Sequence, residues 1–206
     1  PEDVVPRPYT YKRFWFRDAA FIIHALLCAG LTDRAERALY QFPARQLKNG
    51  YFRSQEGEWD ANGEVLWILR RFHELTGRPL HPEWQEPVRK GARWIENKRL
   101  SENIEGPHAG LLPAGFSAEH LGPNDYYYWD DFWGIAGLKA AESLFATIDR
   151  EIGEHFGAGA REFSQTVDRS LATCEQRLKR PGMPASPYRR LDAGAIGSLA
   201  MGYPTQ

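Results

Sequence analysis

An all-α fold is what this sequence predicts, on three observations. Apolar residues recur at spacings of three and four, strongly apolar segments alternate with amphipathic ones, and no alternating run of strand length is bounded by hairpin turn chemistry. The 206 residues fit one domain, spanning 1–206.

The first apolar segment runs from Asp18 to Ala29 and is hydrophobic on every face, as a helix buried all round would be. Gly30 stops it, and Thr32, a good N-cap, opens an amphipathic helix with Ala35, Ala38, Leu39 and Phe42 on one side. The pair then returns. Val65 to Phe72 form a second apolar helix ending at Gly77, and after Pro79 and Pro82 an amphipathic helix carries Trp84, Val88, Ala92 and Ile95 inward. A third pair follows a long loop, with Phe132 to Phe145 apolar and Phe163, Val167, Leu171, Cys174 and Leu178 striped at helical spacing. A fourth apolar helix begins at Asp192. Buried helices alternating with half-wet ones suit an α/α toroid or superhelix, in which an outer layer covers an inner one.

Composition narrows the function. Lys and Arg number 26 against 27 Asp and Glu, a formal charge of −1, so there is no field to hold a nucleic acid. No apolar stretch approaches the roughly 20 residues that span a bilayer, so no membrane role is expected. Cys28 and Cys174 lack metal or disulfide spacing and read as buried thiols, the six histidines show no paired spacing, and His24 reads as a core histidine. Neither metal nor cofactor is expected. Aromatic residues make up 13% of the chain, enough to line a cleft as well as fill a core.

Each apolar helix opens on a similar signature: Trp15-Phe16-Arg17-Asp18, Glu58-Trp59-Asp60, Tyr128-Trp129-Asp130-Asp131 and Arg190-Leu191-Asp192. Asp is a favoured N-cap, and capping accounts well for Asp192 alone. The Trp that stands close before Asp in three of the four goes beyond capping. If these helix starts converge, they build a cleft of rings and carboxylates. Rings stack on the C–H faces of sugars, and a pair of carboxylates about 6.5 to 9.5 Å apart hydrolyses glycosidic bonds with inversion. Tyr126-Tyr127-Tyr128 is expected to turn at least one ring into that cleft.

These motifs resemble glucoamylase-like and trehalase-like glycoside hydrolases with the six-hairpin (α/α) toroid fold. The matching residues are Trp15-x-Arg17-Asp18-Ala19 with Gly30-Leu31, Asp60-Ala61-Asn62-Gly63, Gly110-Leu111-Leu112-Pro113, and Tyr128 to Trp133. The resemblance implies that Arg17 and Asp18 grip the hydroxyls of a terminal sugar and that Asp130 donates the proton, with Glu119 as a rival acid. Trp15, Trp59, Asp60, Tyr128, Trp129 and Asp131 would line the substrate. Where glucoamylases carry Trp-Glu-Glu, this chain has Trp129-Asp130-Asp131, closer to the trehalase-like pattern. An α-glucoside in an oligo- or polysaccharide is the favoured substrate.

The resemblance also implies a ring with more helices than the seven or so read here. The chain is therefore expected to be part of a larger catalytic domain, inactive alone, with the base elsewhere and an apolar flank inviting self-association. Two other functions compete. A carbohydrate-binding module would use the same cleft without cutting. A terpene-cyclase-like toroid would need an Asp-Asp-x-x-Asp run, which Asp130-Asp131 begins but Gly134 ends.

Overall fold

The computed structural model describes residues 14–116 and 123–202, and among these the chain is all-helical. Six α-helices appear: α1 (Phe16–Cys28), α2 (Thr32–Leu39), α3 (Ala61–Thr76), α4 (Pro82–Lys98), α5 (Tyr128–Phe145) and α6 (Arg150–Leu178). A short 3-10 turn spans Pro43–Arg45 and a longer 3-10 helix spans Ala193–Met201. Extended structure among the described residues is limited to the isolated bridges Gln46–Phe52 and Gly115–Asp125.

The helices form two layers. In one, α3 lies between α1 and α5, and α5 packs in turn on the Ala193–Met201 helix. In the other, α2 backs α1, α4 backs α3, and α6 backs α5. The expected alternation of apolar and amphipathic helices is this layering: Trp84, Val88, Ala92 and Ile95 of α4 are all buried, as are Phe163, Val167 and Cys174 of α6. Gly30 and Gly77 end α1 and α3 with positive φ (74° and 68°), a conformation in which a side chain would be strained.

Helices α3 and α5 approach more closely than ordinary side chains allow. A Cβ on Gly63 would stand 2.0 Å from the Trp133 carbonyl oxygen, and one on Gly137 would stand 2.8 Å from the Gly63 Cα. Beside this contact Asn62, fully buried, accepts from the Phe52 N–H and donates to the carbonyls of Gly50 and Gly91. That fixes the start of α3 against both the preceding loop and α4.

Five expectations need correction. Helix α1 is not buried all round: Ile22 is 62% exposed and Phe21, Ala25 and Cys28 share its open face, because among the described residues α1 packs mainly on α2 and α3. Cys28 is therefore an exposed thiol, while Cys174 is buried. His24 is half-buried, its ring 5.0 Å from that of Trp67, rather than a core histidine. Thr32 is the first residue of α2, with Leu31 at the cap, so it does not cap the helix. The fourth apolar segment is a 3-10 helix; Asp192 caps it by accepting from the Gly194 N–H. No helix among the described residues is long and apolar enough to cross a membrane.

Candidate active site

The starts of α1, α3 and α5 meet at one carboxylate. Asp60, at the N-cap of α3, makes no side-chain capping bond. Its Oδ2 instead accepts from the Arg17 guanidinium of α1 at 3.0 Å and from the Trp129 indole N–H of α5 at 2.8 Å. Asp60 is 2% exposed, and the Arg17 side chain only 16%, so this ion pair is largely shielded from water.

Three more buried acids surround the pair. Glu58, 3% exposed, brings an Oε2 to 3.9 Å from Arg17. Asp130, 3% exposed, follows Trp129 in the first turn of α5 and accepts from the Trp59 backbone N–H. Burial, then the like charges of Asp60, Asp131 and Glu58, hold its carboxyl well above the usual range. Glu64, one turn along α3 from Asp60, is fully buried and raised for the same reasons, burial first and Asp60 next. An N-terminal helix position favours an anion, but desolvation and like charge outweigh it here. The site thus holds two carboxyls that keep their protons at higher pH than ordinary acids beside an Arg–Asp pair, an arrangement suited to donating a proton and binding hydroxyls.

Neighbouring residues of one helix point about 100° apart, and that separates the expected site residues. Arg17 turns toward α3, so Asp18 lies exposed on the open face of α1, and the partner of Arg17 is Asp60 rather than Asp18. Asp130 faces the acid cluster. Asp131 faces away, accepting from the Leu112 N–H at 2.9 Å, and burial raises its carboxyl to about 7. It anchors the Leu111-Leu112-Pro113 loop. Tyr128 is also a packing residue, its hydroxyl bonded to Ser170 and Cys174 in the core. Trp59 is buried 6.0 Å from Tyr51, with its N–H on the Pro113 carbonyl. Of the neighbouring tyrosines, Tyr127 is buried with its hydroxyl on the Pro123 carbonyl, and half-buried Tyr126 stacks on His108. Trp15 and Trp129 are the half-buried rings of the cluster, with Arg17 5.6 Å from the Trp15 centroid. Glu119 lies outside the described residues.

No protein-family model, curated protein or solved structure matches the chain. The site is defined by its geometry.

Reading the sequence singled out neither Glu58 as an acid of the site nor Glu64. The signal for Glu64 was present: Asp60, Glu64 and Trp67 recur at spacings of four and three, one face of a helix. No group of three or more His, Cys, Asp or Glu among the described residues has the geometry to hold a metal ion. Two cavities among the described residues lie outside the cluster. A groove of about 670 Å³ lined by Phe16, Arg45, Ser54 and Gln55 passes the start of α1. An apolar cavity of about 270 Å³, lined by Leu39, Leu69, Phe72 and Trp84, sits at the other end of α3.

Proposed function

We propose that the chain contributes to the carbohydrate site of a glycoside hydrolase with the (α/α) toroid architecture, cleaving an α-glucoside. The observation that carries this is the meeting of three helix starts on Asp60, which gathers Arg17 of α1 and Trp129 and Asp130 of α5 from segments far apart in sequence. The side-by-side order α1, α3, α5, each backed by the helix after it, supports the toroid reading.

In this reading Arg17 and Asp60 bind sugar hydroxyls, Trp15 and Trp129 stack on the ring, and Asp130 donates a proton to the leaving oxygen. The raised carboxyl of Asp130 supports the last role, since a general acid has to be protonated near the working pH. The terpene-cyclase reading loses support, because Asp130 and Asp131 face different partners and cannot act as one metal-binding pair.

The test is hydrolysis of natural and aryl α-glucosides by the full-length parent protein and by its Asp130→Asn variant. Loss of a general acid slows natural linkages by about a hundredfold or more and aryl glycosides with good leaving groups far less. Equal slowing of both classes moves the acid elsewhere. Saturable sugar binding without turnover moves the reading to a carbohydrate-binding unit, and neither binding nor turnover overturns it.

A further inference from the structure

Resting on that reading, we propose that Glu64 determines specificity by hydrogen bonding one hydroxyl group of the bound sugar. Glu64 has no exposed surface, and neither of its carboxyl oxygens has a hydrogen-bond partner among the described residues. A buried carboxyl in that state costs stability unless something else satisfies it. The charged groups that face it are Asp60 on its own helix, Arg17 on α1, Asp130 on α5 and Glu58 on the loop before α3. Three of these four are acids, and none offers it a hydrogen bond. A protonated Glu64 presents one O–H donor and an acceptor oxygen.

Two further buried groups have the same need. The indole N–H groups of Trp15 and Trp133 lack acceptors among the described residues. Trp15 lies against Arg17, and the Trp133 ring is 5.8 Å from that of Trp129, so both border the Arg17–Asp60–Trp129 bonds. A metal cation would satisfy a carboxylate but repel indole donors. An anion would meet the four acids Glu58, Asp60, Glu64 and Asp130 beside Arg17. A neutral group that both donates and accepts suits a protonated carboxyl and can also accept from an indole N–H, and a sugar hydroxyl is such a group.

Methyl α-glucopyranoside and its 2-, 3-, 4- and 6-deoxy analogues are the probes, titrated calorimetrically into the protein and into Glu64→Gln and Glu64→Met. The proposal expects Glu64→Gln to weaken the parent glucoside about tenfold or more and to leave one deoxy analogue unaffected, the one lacking the hydroxyl that Glu64 binds. Glu64→Met, which removes the buried polar group, is expected to keep or raise the melting temperature while losing that affinity. Wild-type affinity in both variants, or equal loss for every analogue, overturns the role of Glu64 and leaves the site reading standing. A lower melting temperature in Glu64→Met with unchanged affinity also overturns it, assigning the carboxyl to the fold through buried water. If the wild type binds none of the probes, the site reading fails and the Glu64 proposal with it. If neither variant folds, ¹³C NMR of the Glu64 carboxyl in the wild type decides. A shift on saturation with the parent that one deoxy analogue fails to produce supports the proposal, and no shift with any probe overturns it.

Discussion

The two ends of the α1–α3–α5 layer are built on opposite principles. At the C-terminal end, α3 closes on Gly77 in the left-handed conformation, and the next residue, Arg78, pairs with Glu36 and Asp33 of α2 where water reaches them. These charges have opposite neighbours and remain partly solvated. At the N-terminal end Glu58, Asp60, Glu64 and Asp130 are buried around Arg17. Gathering four carboxyls out of water opposes folding, because each like charge raises the cost of ionising the next. One end serves stability. The other keeps groups that stability alone would replace, as sites for binding and catalysis do.

The largest expected effect breaks the junction that brings the acids together. Gly63→Ala drives a methyl group into the backbone of α5 and is expected to destabilise the protein by about 3 kcal/mol or more, measured by urea unfolding. If it unfolds normally, α3 and α5 are not in contact at Gly63 and the site is not assembled as described.

The second effect concerns pH. A carboxyl raised in the folded state binds its proton more tightly there than in the unfolded chain, so its contribution is fully present below the unfolded value and is lost as pH rises through the folded one. For Asp131 the window runs from about 4 to about 7, and linkage caps the change at about 4 kcal/mol. Asp130 and Glu64 act in the same direction. Glu162 opposes them at lower pH: Arg99 holds it down to about 2, so its contribution is lost as pH falls from about 4 toward 2. Urea unfolding is therefore expected to show greater stability at pH 5 than at pH 8. Asp131→Asn, which keeps an acceptor for Leu112, should flatten that slope. A slope unchanged by the substitution removes Asp131 as its source.

The smallest effect lies at the other end. Arg78→Ala removes partly solvated pairs and is expected to cost about 1 kcal/mol or less, within reach of a thermal melt. A much larger loss would erase the contrast between the two ends.

Much of this was legible in the sequence. Spacings of three and four fixed the helix pairs, because amphipathic periodicity records which face meets the core. The Asp and Trp repeated at the helix starts marked the end where Arg17, Asp60, Trp129 and Asp130 meet. Other features depend on neighbours that no local pattern specifies. Asp130 and Asp131 are adjacent and chemically alike, and only the packing of α5 decides which joins the cluster and which holds Leu112. Trp59 and Tyr128 sit beside site residues in sequence, yet the loop before α3 and the first turn of α5 send both into the core. Glu64 was hidden by the apolar run that follows it. The open face of α1 is as hydrophobic as a buried one, and its exposure follows from which helices lie beside it.

The central claim is that the acidic end binds a sugar through Asp60, Arg17 and the ring of Trp129. A tryptophan-fluorescence titration with methyl α-glucopyranoside and maltose tests it directly, since Trp129 donates to Asp60 and reports on that carboxylate. The account predicts a saturable change below about 10 mM, an affinity range of roughly 3 kcal/mol or better. Trp129→Phe should remove most of the signal and Asp60→Asn should weaken the affinity. A flat titration, or a saturable one that neither substitution alters, would contradict it.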